Sequence, residues 1–322
     1  MQERVFGTEQ AVHAAADVRA SVYGDLDDGV PPDLLSVPEG AHGPLSAVQV
    51  HAIQSEERPA VLTENDRPCG RMLGTGGVGY IVLSGLTAPE AGTNADQARA
   101  VFQKAANVLR RIGGSMESVA RTWLWLSDIL SWYDAFNSVR SRFFTESGLI
   151  DADSARTRLP ASTGIGVGPA GAAACALDLI ALIGPKASVS FYQAAGMQEC
   201  AYEYGSAFSR VARADTPGGA SVYVSGTAAI DEAGQTQHVG DAAGQIKMTL
   251  ANVRAALRDM KCSDADVVHA IAYSKTPEIQ ALFDREYAHQ LGWPCVSVLG
   301  DICRDDLLFE VEATAFAGAQ PL

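Results

Sequence analysis

One apolar helical stripe occurs twice in this chain, with the same spacing and the same neighbours. Val101, Ala105, Val108 and Ile112 fall at i, i+4, i+7 and i+11, one face of an amphipathic helix. Ile246, Leu250, Val253 and Leu257 repeat that spacing, and Asn107-Val108 of the first stripe returns as Asn252-Val253 in the second. A unit that recurs in sequence folds twice, so the repeat constrains the architecture before any motif is considered.

The flanks agree. A strand-like run ending in Ser-Gly precedes each helix, at residues 80–85 and 222–226, and a strand follows each, at 119–126 and 267–273. A second helix comes next. It carries Tyr133, Phe136, Val139 and Phe143 on one face in the first copy, and Ile279, Leu282, Phe283 and Tyr287 in the second. Each copy closes with an apolar strand, at 172–182 and 307–316. The order β-α-β-α-β behind a hairpin predicts an α+β fold: two tandem units, each a mixed β-sheet with helices on one face. The expected boundaries are 70–184 and 190–322, joined by a linker at 185–189. Residues 1–69, richer in Asp, Pro and Gly, read as an irregular extension packing on the first unit. A chain of 322 residues has room for this arrangement.

The formal net charge of −14 argues against a nucleic-acid partner, because phosphate binding needs clustered Lys and Arg and the basic residues here are scattered. The richest apolar stretch, 171–183, contains Asp178 and is too short to cross a bilayer. No basic-then-apolar leader is visible at the start, so a cytoplasmic location is expected. The six cysteines form no CxxC pair with a matching His set, which predicts free thiols and no metal. Two glycine-rich stretches, 74–79 and 162–166, lack the GK[ST] ending of a phosphate loop and read as turns entering strands.

Ser225-Gly226-Thr227-Ala228, the helix from Gln245 to Asn252, and the closing stretch from Asp301 to Glu312 resemble the C-terminal half of chorismatases. In the first copy, Arg121-Thr122-Trp123 and residues 159–166 are similar to the matching segments. Chorismatases are two-domain members of the Rid (YjgF-like) superfamily, with chorismate-mutase-like units. The resemblance, over about residues 70–320, implies a tandem Rid-like enzyme acting on a small molecule without cofactor. Family trimers leave a homo-oligomer open. It also implies that Glu310, in the closing strand, donates a proton. Cys303 and Gly226 match the subgroup that makes 3-hydroxybenzoate. Aromatising cyclases, among them carbazole-forming enzymes of secondary-metabolite pathways, are similar too.

Departures from the family pattern are as specific. Chorismatases carry Tyr-Gly-Pro-Arg where this chain reads Tyr204-Gly205-Ser206-Ala207, and Val-Arg where it reads Ser274-Lys275. Imine deaminases of the superfamily place an Arg after a late proline; here Cys295 follows Pro294.

From the strand itself, alternation puts Leu308, Glu310 and Glu312 on one face and Phe309 and Val311 on the other. A carboxyl desolvated among those apolar neighbours has a raised pKa, suited to donating a proton near neutrality. The plain alternative is an exposed strand charge. Cys303 reads as pocket lining, and Arg304 as the ion-pair partner of Asp301, Asp305 or Asp306. Arg121 and His269 occupy equivalent strand positions in the two copies. A buried Arg needs an anion, which is either substrate or a structural carboxylate. Lys275, Arg210, Tyr204 and Thr163 complete the substrate-binding candidates. The expected activity is general acid–base catalysis of elimination, cyclisation or aromatisation on a conjugated cyclic compound, by a chorismatase-like lyase or an aromatising cyclase. A non-catalytic metabolite- or protein-binding module and an imine deaminase are the alternatives.

Overall fold

The computed structural model describes residues 1–153 and 156–317; the last five positions of the expected second unit lie outside these. In chain order the elements begin with β1 (Gln2–Gly7), α1 (Glu9–Tyr23), β2 (Asp33–Ser36) and β3 (Leu45–His51). There follow β4 (Ala60–Glu64), β5 (Arg67–Thr75), β6 (Val78–Thr87), α2 (Asn94–Arg111), β7 (Val119–Leu126) and α3 (Ile129–Glu146). Then come β8 (Ala161–Ile165), β9 (Gly168–Pro169) and β10 (Cys175–Ile183). The second half runs β11 (Val189–Tyr192), β12 (Val211–Thr216), β13 (Gly219–Ala228), α4 (Ala242–Asp259) and β14 (Val267–Ser274). It ends with α5 (Pro277–Phe283), β15 (Cys295–Leu299) and β16 (Phe309–Phe316).

Two six-stranded sheets have the same order, position for position: β4-β5-β6-β10-β7-β8 and β11-β12-β13-β16-β14-β15. In each, every neighbouring pair is antiparallel except the last, β7 with β8 and β14 with β15, which is parallel. Both sheets are therefore mixed, as the duplicated pattern predicts. Each unit holds one more strand than the pattern suggested, β8 or β15, because these five-residue runs carry Ser, Thr or Gly among their apolar positions. Residues 162–165 thus lie within a strand rather than in a turn. The first sheet begins at Ala60, ahead of the expected boundary at 70. The 74–79 stretch does turn a hairpin: Gly76 and Gly77 take φ of 60° and 91°, open to glycine at no steric cost.

The N-terminal segment is regular, contrary to expectation. β1 pairs with β2 and β3, and β9 joins them in a four-stranded sheet. Thr8 caps α1 by accepting from the Ala11 N–H at 3.4 Å. Its strands are short and most of its Asp, Pro and Gly sit in the connections, which hid the alternation. Nor does it rest on the first unit alone, for Ala41 N–H donates to Gln280 Oε1 at 3.2 Å in the second.

Helices cover the outer face of each six-stranded sheet. Phe102, Phe136 and Phe144 pack under the first, and Ile246, Val253 and Phe283 under the second. The inner faces meet the N-terminal sheet around a shared core that includes Phe6, Trp123, Trp125, Tyr223 and Tyr273. Burial inside this core is what gives its few polar side chains unusual properties. Asp178 accepts from Trp125 Nε1, Arg4 Nε and Gln2 Nε2 at 2.9 to 3.0 Å, and from the Gly85 N–H at 2.9 Å. Register makes Glu312 its counterpart in the second copy. It accepts from Trp123 Nε1 at 2.6 Å and Arg121 Nη2 at 2.8 Å. By the same register Ala176 stands where Glu310 stands. Duplication kept one buried carboxylate in both units and an extra one in the second alone.

Candidate active site

Glu310 enters through alternation on β16. Phe309 and Val311 face α4 and α5, while Glu310 and Glu312 point into the shared interior. Leu308, placed with Glu310 by alternation alone, packs on the helix side because it precedes the strand. Glu310 is 5 % exposed. Burial first, and the neighbouring Glu312 second, push its carboxyl up to about 8, so it holds its proton at neutral pH.

The pocket around it is assembled from both units. β8 of the first lies against β13 of the second, stitched by Ser162 N–H donating to Ser225 Oγ at 2.8 Å and Gly226 N–H donating to Thr163 Oγ1 at 3.0 Å. α3 contributes Tyr133 and Arg140; the 204–210 segment contributes Tyr204, Phe208 and Arg210; Cys303 and Arg304 close the rim. Free volume inside is about 50 Å³, room for a few waters. A ring-sized ligand therefore requires the pocket to widen.

Three guanidinium groups line this pocket with Glu310. Arg140 is 1 % exposed and Arg210 3 % exposed, and Arg304 is half-buried. Arg140 Nη2 donates to Asn137 Oδ1 at 2.6 Å while its Nε has no partner. Arg210 donates to Tyr204 OH and, through Nε, to the Glu199 carbonyl at 3.0 Å. Arg304 donates to the Gly234 carbonyl at 2.6 Å and stands 5.6 Å from the Tyr204 ring. Among the described residues none of the three makes a salt bridge. Buried cations without carboxylate partners are costly, and a protein of net charge −14 has acids to spare. The arrangement suits a ligand bearing two negative charges.

Several expected site residues lie elsewhere. Arg121 Nη2 donates to Glu312 and to Thr163 Oγ1, at 2.8 and 2.5 Å, so its anion is structural. Thr163 sits behind the pocket wall, accepting from Arg121 and Gly226. Lys275 Nζ donates to the Asp305 carbonyl at 2.7 Å, away from the cavity. His269 faces a different cavity, at the other end of β16. Arg304, expected to pair with a neighbouring Asp, turns to the 234 carbonyl and the pocket instead. Cys303 lines the pocket; burial, with Glu310 next, pushes its thiol up to about 12, so it is not a thiolate at neutral pH. Arg140 and Tyr133 escaped notice because they sit on a first-copy helix, where 3.6-residue spacing alone reads as one packed face.

Gly226 has a specific reason to be glycine. A Cβ there would overlap Glu310 Oε1 and stand 3.0 Å from its Cδ. Gly226→Ala is expected to leave the fold intact, since the flexible carboxyl end can swing away, and to lower turnover at least about tenfold by misplacing the acid. Melting temperature and steady-state kinetics on one preparation check both halves.

A model of the Endoribonuclease L-PSP family matches residues 206–317. A chorismatase crystal structure matches with a TM-score of 0.68 and 23 % identity, covering 98 % of this chain and 92 % of that one. The chain has the chorismatase fold. Single-unit structures match over less of the chorismatase-like chain. A YjgF family member from Neisseria meningitidis covers 41 % of it and 98 % of its own length, at 16 % identity and a TM-score of 0.30. A putative endoribonuclease from Thermotoga maritima covers 35 % of it and 87 % of its own length, at 21 % identity and a TM-score of 0.28. No curated protein matches the sequence.

Proposed function

We propose that this chorismatase-like protein is a lyase that cleaves the enolpyruvyl ether of a cyclic dicarboxylate, with chorismate as the substrate and a hydroxybenzoate and pyruvate as products. The observation that carries this reading is the set of three unpaired guanidinium groups around one protonated carboxyl. Arg140, Arg210 and Arg304 supply forks for two carboxylates. Glu310, protonated at neutral pH, supplies the general acid. An enol ether is protonated at its terminal methylene carbon, which leaves an oxocarbenium ion at the ether carbon and weakens the bond to the ring. Cleavage then releases pyruvate, and the ring aromatises by losing a ring proton, which restores the one Glu310 gave. The two products together contain every atom of the substrate, so no oxidant or water need be consumed overall. The arginine-lined pocket favours this step because the carboxylates' counter-charges are already in place.

Incubating the protein with chorismate and following pyruvate release and aromatic products tests the proposal. Stoichiometric pyruvate and hydroxybenzoate are expected. A folded protein that leaves chorismate untouched rules the substrate out.

A further inference from the structure

At the opposite end of β16 from Glu310 lies a second cavity, of about 600 Å³, between the N-terminal sheet and both six-stranded sheets. It shares no lining residue with the Glu310 pocket. Its size is that of a small-molecule site. Tyr80, Trp123, Tyr223 and Phe316 give it flat aromatic walls. No Asp or Glu lines it, in a protein of net charge −14.

Arg4 and His269 bring donors to this cavity. Arg4 Nη1 donates to Gln49 Oε1 at 2.7 Å, which fixes the orientation of the Gln49 amide. Gln49 Nε2 is therefore the donor to His269 Nδ1, 3.3 Å away. Burial, and the nearby His51, Arg4 and Arg121, lower His269 to about 3, so the imidazole is neutral with its one proton on Nε2. That N–H is a donor with no acceptor assigned among the described residues. Arg4 is 2 % exposed, and its Nη2 has no partner either. Arg4 Nη2 is itself buried and its Nε pairs with Asp178 at 3.0 Å, so the half-buried His269 supplies the donor that an incoming acceptor reaches.

We infer that this cavity binds an aromatic monocarboxylate, the ring against the Tyr80 and Tyr223 wall and the carboxylate toward His269. The inference stands on the geometry of this cavity and does not depend on the reading of Glu310. Titration calorimetry of benzoate into the full chain, compared with His269→Leu and Arg210→Met, tests it. Arg210→Met is expected to keep the binding event within about twofold, and His269→Leu to weaken it at least about tenfold through loss of a charge-assisted hydrogen bond. In the unmodified protein, the imidazole nitrogen resonances of His51 and His269 are expected to move on adding benzoate, which decides the matter even where a variant fails to fold. Absence of binding, unmoved resonances, or binding abolished by Arg210→Met, which would place benzoate in the Glu310 pocket, each overturns the inference.

Discussion

Glu310→Gln is expected to cut kcat/KM by about 10²- to 10⁴-fold, the range for removing a general acid, and at the same time to make the protein more stable at neutral and alkaline pH. Both effects come from one cause. The folded protein holds this proton up to about pH 8, whereas the unfolded carboxyl releases it near 4.5. Between those values the unfolded state gives up a proton that the native state keeps. Stability therefore falls as pH rises through that window, and the full penalty is present above pH 8. By linkage it is on the order of a few kcal/mol. Glutamine does not titrate, so the variant should match the parent near pH 4 and exceed it near pH 8. The same proton sets the pH–rate profile: kcat/KM of the parent should decline above about pH 8 as the acid empties. Unfolding midpoints and rates measured across pH check all three. Retained turnover in Glu310→Gln would remove the carboxyl from the mechanism.

Arg121→Met should be the most damaging single change outside the pocket. Arg121 and Glu312 are each about 1 % exposed, and the guanidinium also lies 4.6 Å from the Trp123 ring. Removing one member of a buried pair leaves the other charge uncompensated, at a cost of about 3–5 kcal/mol. Arg121→Met with Glu312→Leu removes both charges and should recover most of that loss. Urea unfolding of the two variants and the double variant gives the coupling directly. If Arg121→Met costs less than about 1 kcal/mol, the pair is not what orders this part of the interior.

Loss of Glu312 charge bears on the site as well. Glu312 is the second cause, after burial, of the raised Glu310 proton affinity. Asp178 shows that a carboxylate at this register position is part of the fold, because the first copy has it and carries Ala176 where an acid would be needed. The duplicated scaffold thus supplies the environment in which a single added carboxyl on β16 becomes an acid.

Local spacing carried much of this into the chain itself. The repeated stripes of α2 and α4 and the strands at 119–126 and 267–273 follow from neighbours within a few residues, where backbone periodicity sets which side chains share a face. Partners distant in sequence did not show. Arg140 meets Arg210 across 70 positions, Arg304 passes over its adjacent aspartates for the carbonyl of Gly234, and Arg121 finds Glu312 rather than substrate. Strand alternation can say that a charge points inward, but which anion or cation it finds there depends on how two sheets face each other. That is settled by packing, since a buried charge is tolerated only where the fold brings it a partner or leaves it one to bind.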